Sequence, residues 1–132
     1  MYQLVDLKLL SDIRGDLLSL EQLKNVPFDI KRVYCLTKLH ADYPRGFHAH
    51  RQLQQLVVCL SGRCRFVLDD GHQKQEVWLE SASQGLLLGS HVWREMHNFS
   101  EDCVLMVLAS DFYDESDYIR DYQEFLAITD MK

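Results

Sequence analysis

Short apolar runs recur along the chain, and turn-forming residues separate them without a long helical pattern in between. The connection "SGR" (61–63) places a glycine between two runs, and Asp70–Gly71 follows the second one, as expected for hairpins. The runs include "YQLVDLKLL", "DIKRVYCLTKL", "LQQLVVCL", "CRFVLDDG", "QKQEVWLE", "GLLLG", "HVWREMHNF" and "CVLMVLAS". The pattern predicts about nine β segments and an all-β sandwich or barrel.

The one helical pattern lies near the end of the sequence. In "DESDYIRDYQEFL" (114–126), acidic residues occupy the first turn, and apolar residues recur at helical spacing. These apolar positions are Tyr118, Ile119, Tyr122, Phe125 and Leu126. The pattern predicts a helix from Asp114 that covers one end of the β core, and we expect it to serve capping and packing.

Composition narrows the class of protein. A chain of 132 residues, 47% of them hydrophobic, is long enough for a real core, so we expect one domain over residues 1–132. The formal charge of -6 argues against a nucleic-acid or anionic-membrane surface, although arginines can still cluster in a cleft. No apolar run approaches the ~20 residues of a membrane span. Asp6 and Lys8 interrupt the first run, which is therefore not typical of a signal peptide.

The four cysteines lack the spacing of a zinc or thioredoxin-like motif. They are Cys35, Cys59, Cys64 and Cys103. We expect reduced, mostly buried thiols in a cytoplasmic protein.

Candidate chemistry is concentrated in "PRGFHAHRQLQQ" (44–55), where His48 and His50 point to the same face of a strand. The layout resembles the first metal-binding motif of the cupins, which are small jelly-roll barrels. Gln55, which six residues separate from Gly62, stands where that motif has a glutamate. A neutral amide binds a divalent ion poorly, so we expect no metal, although His97 could act as a third ligand. The pair is then suited to proton transfer.

Several segments extend the resemblance beyond the barrel. "FDIKRVYCL", "PRGFHAH", "CLSGRCRFVLDDG" and "VWREMHNFSEDCVLMVLASDFYDESDYIRDY" are similar to segments of cupin-type sugar-nucleotide 3,4-ketoisomerases, from about residue 11 to residue 122. Members of that family move the keto group of dTDP-4-keto-6-deoxy-D-glucose from C4 to C3, on routes to 3-amino-3,6-dideoxy sugars of surface polysaccharides.

The resemblance has structural and catalytic implications. It implies a cupin-type jelly-roll barrel without metal or cofactor, and a homodimer that exchanges N-terminal strands. It also implies that His50 is the base and that His48 orients it or carries a second proton.

The anionic diphosphate of such a substrate requires a local cluster of arginines. Arg45 adjoins the histidine pair and is the first candidate. Alternation along the strand at 31–38 places Arg32 and Tyr34 on one face, which are site residues if that face points into the barrel.

Two further regions contribute substrate-binding candidates. In "HVWREMHNF" alternation groups Trp93 with His97 and places Arg94 opposite, so that a bulge is needed for Arg94 and His97 to enter the barrel together. Trp93 either packs against a sugar or base or belongs to the core. Arg14, at a turn before Gly15, either borders the barrel mouth or lies on the surface.

The sequence leaves three other functions open. A related epimerase would use a similar base and return the carbonyl to C4. A non-catalytic cupin would bind the sugar nucleotide without removing a proton. A metal-dependent oxygenase is disfavoured by Gln55.

Overall fold

The computed structural model describes residues 1–130, in which strands predominate. The strands are β1 (Tyr2–Asp6), β2 (Leu9–Asp12), β3 (Gly15–Leu18), β4 (Arg32–Leu36), β5 (Arg45–His50), β6 (Gln55–Ser61), β7 (Cys64–Asp69), β8 (Lys74–Leu79), β9 (Gln84–Leu88), β10 (Trp93–His97), β11 (Val104–Ala109) and β12 (Tyr118–Ile119). A 3-10 turn spans Glu115–Asp117, and one helix, α1, spans Tyr122–Asp130.

Two antiparallel five-stranded sheets form the body of the protein. One sheet has the strand order β1-β9-β6-β11-β4, and the other has the order β12-β5-β10-β7-β8. The hairpin β2–β3 pairs with neither sheet. The prediction of an all-β architecture with a short C-terminal helix is confirmed. The strand count was too low because short strands such as β2, β3 and β12 have no alternation of their own.

The main core lies between the two sheets, and the wholly apolar runs supply it. Side chains of β6, β7 and β11, among them Val57, Phe66 and Leu105, are buried there. Continuous apolar runs in β6 and β11 fit central strands that are covered on both faces. Cys59, Cys64 and Cys103 are also buried and unpaired, whereas Cys35 is exposed. The expectation of mostly buried thiols therefore holds in the described chain.

The C-terminal segment differs from the sequence prediction. The helix does not begin at Asp114; that residue caps the 3-10 turn, and Tyr118 and Ile119 then pair with His50 and Ala49 of β5. The helix begins only after Asp121, whose side chain accepts hydrogen bonds from the backbone N–H groups of the first turn. The open edge of β5 offers these two residues backbone partners, and this tertiary pairing outweighs their helical spacing.

A bulge shapes the strand that carries the histidines. Arg94 and Glu95 are consecutive on β10, but they pair with His48 and Gly46 on β5, so Phe47 is an extra residue. Because one residue is inserted, the side chains of Arg45 and His48 lie on the same face of β5, although the two residues are three positions apart.

Within residues 1–130, no helix is long and apolar enough to cross a membrane.

We expect Gly46→Ala to destabilise the fold, because Gly46 has φ +96° and an added Cβ would stand 2.9 Å from the Arg94 carbonyl oxygen. The expected loss is about 1–3 kcal/mol in the free energy of unfolding, measured by urea denaturation. Gly89→Ala is the matched control, because a Cβ there meets no atom within 4 Å. Equal stability of the two variants would show that the bulge tolerates a side chain at position 46.

Candidate active site

Both histidines of β5 point into the space between the sheets, with ring centroids 4.9 Å apart. Nδ1 of His48 lies 3.0 Å from the Gly46 carbonyl oxygen, and Nδ1 of His50 lies 3.1 Å from an Asp117 carboxylate oxygen. These oxygens accept hydrogen bonds, so they favour the tautomer with the proton on Nδ1. Nε2 of His50 is buried without a hydrogen-bond partner among the described residues. With the proton on Nδ1, Nε2 carries a lone pair that no described residue occupies.

Asp117 holds the surroundings of His50 in place. Its carboxylate also accepts the backbone N–H groups of Gln52, at 2.9 Å, and Leu53, at 3.3 Å. One side chain thus joins the C-terminal segment to the β5–β6 connection and to the imidazole. Asp117 is not among the sequence-derived candidates, because the spacing over residues 114–126 predicts a packing helix there.

The ring of Tyr118 lies against both histidines, with centroids 4.9 Å from His48 and 4.4 Å from His50. The guanidinium of Arg120 lies 4.2 Å from the centroid of the Tyr118 ring. Glu115 forms an ion pair with Arg120 on the exposed side. The pairing of β12 with β5 places these residues here, and helical spacing alone could not indicate that pairing.

A buried polar chain runs beside the histidines. Arg94 is 3% exposed, donates to the Val92 carbonyl oxygen at 2.9 Å and also donates to Oε1 of Gln55. Nε2 of Gln55 donates to the hydroxyl of Tyr34 at 2.8 Å. No carboxylate within residues 1–130 forms an ion pair with Arg94. Although burial lowers the pKa of Arg94 to about 10, the group stays charged at neutral pH.

Burial keeps the two imidazoles neutral. Desolvation, followed by the charge of Arg94, lowers the pKa of His48 to about 4 and that of His50 to about 2. An ionisation near 6.5, which a freely titrating His50 would show, is therefore not expected of the folded protein. Burial also raises the pKa of Tyr34, so its phenol carries a proton.

Two cavities meet at Arg32 and Tyr118. The smaller, of about 180 Å³, adjoins His50, and its lining includes Asp111, Asp114 and Asp117. The larger, of about 370 Å³, adjoins His48. Its lining also includes Tyr34, Arg45 and Arg120. The guanidinium of Arg32 lies 5.2 Å from the centroid of the Tyr34 ring. The larger cavity is thus lined by three arginines, whereas the smaller one is rich in carboxylates.

A protein-family model described as "FdtA: WxcM-like, C-terminal" matches residues 1–130. The chain belongs to this family. It is 54% identical over 123 residues to the TDP-4-oxo-6-deoxy-alpha-D-glucose-3,4-oxoisomerase of Aneurinibacillus thermoaerophilus, which covers 93% of this chain and 88% of that protein.

Solved structures of relatives share the architecture. A 3,4-ketoisomerase from Helicobacter canadensis has a TM-score of 0.95 and 45% identity, with 98% of this chain and 97% of that chain covered. A histidine-to-asparagine variant of the 3,4-ketoisomerase QdtA from Thermoanaerobacterium thermosaccharolyticum, in complex with TDP-4-keto-6-deoxyglucose, has a TM-score of 0.97 and 40% identity. That match covers 99% of this chain and 95% of the other. The prediction of a cupin-type ketoisomerase fold is confirmed.

In this FdtA-family chain, three of the sequence-derived candidates lie apart from the two cavities. Trp93 packs against Tyr122 and Phe125 of α1, with ring centroids 5.2 and 5.8 Å away. His97 accompanies it on the outer face of β10 and is paired with Glu95 at 2.9 Å. The bulge does not turn His97 inward, because the extra residue lies on β5 and β10 keeps its alternation.

Arg14 is the third of these residues. It lies at the tip of the hairpin β2–β3, where its side chain is 86% exposed and paired with Asp12. Within one chain it does not border the barrel mouth. The structure brings together six other candidates around the cavities and the polar chain: Arg32, Tyr34, Arg45, His48, His50 and Arg94.

The FdtA-family chain places Gln55 where the cupin motif has its metal-binding glutamate. The amide is engaged with Arg94 and Tyr34. Across residues 1–130, no group of three or more His, Cys, Asp or Glu side chains is arranged to hold a metal ion. We therefore assign no mechanistic step to a metal at this position.

Proposed function

We propose that the protein is a TDP-sugar 3,4-ketoisomerase, which moves the keto group of TDP-4-keto-6-deoxyglucose from C4 to C3. The curated relative from A. thermoaerophilus is named for this reaction, and a structural neighbour binds this sugar nucleotide. The observation that carries the proposal is a pair of neutral imidazoles, buried at His50 and half-buried at His48, beside a buried guanidinium that lacks a carboxylate partner in the described chain.

The reaction requires proton transfer at two adjacent carbons. Nε2 of His50 removes the proton from C3, and the C–H electrons form a C3–C4 double bond while negative charge develops on O4. Protonation at O4 gives the enediol. Loss of the O3 proton and protonation at C4 then give the 3-ketone. General acid–base help of this kind contributes roughly 10²–10⁴-fold.

The neighbours of His50 suit this role. Asp117 fixes the tautomer and then stabilises the imidazolium that forms when His50 takes the proton. His48 faces the other cavity and is the second proton carrier or an orienting group. The positive charge of Arg94 stabilises the enolate oxygen at a site with little competing water.

The diphosphate is best accommodated in the larger cavity. Arg32, Arg45 and Arg120 line it, and guanidinium groups bind phosphate oxygens in pairs of hydrogen bonds. Arg120 lies in the stretch 114–126, whose sequence pattern predicts only capping and packing. The carboxylates around the smaller cavity repel phosphate and favour the sugar hydroxyl groups.

We also propose that residues 1–132 act as one cytoplasmic domain, on a route to 3-amino-3,6-dideoxy sugars of surface polysaccharide. The family match over residues 1–130 supports the single domain. The buried free thiols fit a reducing compartment.

Incubation of the purified protein with TDP-4-keto-6-deoxyglucose should yield the 3-keto isomer in proton NMR. Exchange of the C3 proton for deuterium is expected in heavy water. A product with its ketone still at C4 would indicate an epimerase, and no exchange at all would indicate a binding protein.

The two histidines should differ on substitution. His50→Asn should abolish turnover, because the group that takes the C3 proton is lost, while His48→Asn should lower it less. Circular dichroism and urea denaturation serve as controls for the fold. Full turnover of His50→Asn would refute the assignment of the base.

The acid limb of kcat/KM should lie well below pH 6.5. A lowered pKa keeps the imidazole neutral and able to accept a proton as the pH falls, so the rate should decline only as the pH approaches about 4, the pKa of His48, because the pKa of the base His50 is lower still. Arg94→Met should raise both imidazole pKa values in NMR titrations of the free protein. A limb at 6.5 in the unmodified protein would contradict the proposed electrostatics.

We propose further that the protein is a homodimer that exchanges N-terminal strands. The hairpin β2–β3 supports this, because it pairs with neither sheet and exposes Leu10, Ile13 and Leu17. Such a patch gains free energy when a second copy covers it.

Light scattering should give twice the chain mass of 15.5 kDa. Ile13→Asp with Leu17→Asp should shift the protein towards the monomer, since charge opposes burial. Leu60→Asp, at another exposed leucine, is the control. A monomeric mass for the unmodified protein would refute the dimer.

A further inference from the structure

Gln55 is 3% exposed and does not line either cavity, yet it joins two groups beside the reaction site. A guanidinium has only hydrogen-bond donors, so the side-chain atom that faces Arg94 must be the amide oxygen. The amide nitrogen therefore faces Tyr34, to which it donates at 2.8 Å. Arg94 thus fixes the direction of the amide.

This direction determines what the Tyr34 hydroxyl can do. The phenol oxygen accepts a hydrogen bond from Gln55, so the hydrogen of the hydroxyl group itself is available to a different acceptor. Within residues 1–130, no acceptor for that hydrogen is present. The Tyr34 side chain lines the larger cavity together with His48. The reacting sugar has to lie against both histidines, whose ring centroids are 4.9 Å apart, so it reaches the His48 end of the larger cavity, beside the arginines that bind the diphosphate. A sugar oxygen at that end is therefore a suitable partner for the O–H group.

We propose that Gln55 is a positioning residue, which aims the hydroxyl hydrogen of Tyr34 at an oxygen of the reacting sugar. This inference rests on the proposed ketoisomerase function and adds to it a donor and the residue that orients that donor. The raised pKa of Tyr34 supports it, since a protonated phenol is required.

A carboxylate at position 55 would reverse the chain of hydrogen bonds. It would accept from Arg94 and also from Tyr34, so the phenol hydrogen would point away from the cavity. The charge of Arg94 would then also be neutralised. The amide is thus the side chain of this size that accepts from Arg94 and donates to Tyr34 at once.

The test compares the effect of Tyr34→Phe in two backgrounds. In the unmodified protein, Tyr34→Phe should lower kcat by about 10²-fold, the usual cost of one lost donor to a developing oxyanion. In Gln55→Glu it should lower kcat by less than about threefold, because the hydroxyl has already been turned away. An equal effect of Tyr34→Phe in both backgrounds would overturn the proposal. No effect in the unmodified protein would also overturn it.

A second readout does not depend on turnover. In NMR titrations of ring-labelled tyrosine, with Tyr34→Phe used for assignment, Gln55→Glu should raise the pKa of Tyr34, because the new carboxylate holds the phenol hydrogen. An unchanged pKa of Tyr34 would overturn the proposal that Gln55 orients the Tyr34 hydroxyl. If Gln55→Glu raises the pKa of Tyr34 but the unmodified protein does not isomerise TDP-4-keto-6-deoxyglucose, the orienting role of Gln55 would be supported and the proposed function refuted.

Gln55→Met keeps the size and removes both polar atoms. It serves as the neutral variant if Gln55→Glu does not fold, which circular dichroism would report. Since the hydroxyl then rotates freely, Tyr34→Phe should cost less in this background than in the unmodified protein. The full 10²-fold effect in Gln55→Met would overturn the proposal.

Discussion

The buried guanidinium of Arg94 sets the electrostatics of the space between the sheets. Removing a charge from water is costly unless it is paired, and the hydrogen-bond partners of Arg94 here are the neutral Val92 and Gln55. The free-energy cost of removing this charge from water therefore remains in the folded protein, and the charge has two consequences. The charge opposes protonation of His48 and His50, and it attracts negative charge that develops nearby. In the proposed reaction, the same cation therefore helps to keep the base neutral and stabilises the enolate that forms.

Neutral imidazoles and an amide together distinguish this site from a metal centre built on the same motif. A divalent ion would gain from a carboxylate at position 55, whereas Gln55 is engaged by Arg94 and Tyr34. The positive charge in this site is thus that of a protein side chain, Arg94, where a metal centre would have a bound ion. Its position is fixed by the alternation of β10, which points Arg94 inward and Trp93 outward.

The sequence was sufficient for features that depend on local spacing. The shared face of His48 and His50, and that of Arg32 and Tyr34, follows from alternation within one strand, and the wholly apolar runs indicated the central strands. The sequence was insufficient where the position of a residue depends on the pairing of one strand with another. The positions of Asp117, Tyr118 and Arg120 follow from the pairing of β12 with β5, which competes with a helical pattern that is also real.

The bulge at Phe47 shows the same limit of prediction from sequence. A bulge near Arg94 could be anticipated from the conflict between its charge and its apolar face, but the sequence does not say which strand carries the extra residue. With Phe47 inserted in β5, the alternation of β10 is preserved and that of β5 is reset, so His97 stays outside while Arg45 joins His48. In the proposed function Arg45 binds phosphate and His48 is the second proton carrier or an orienting group, and both then line one cavity. A strand of regular geometry would place residues three apart on opposite faces, so the combination of the two chemistries in one site depends on this irregularity.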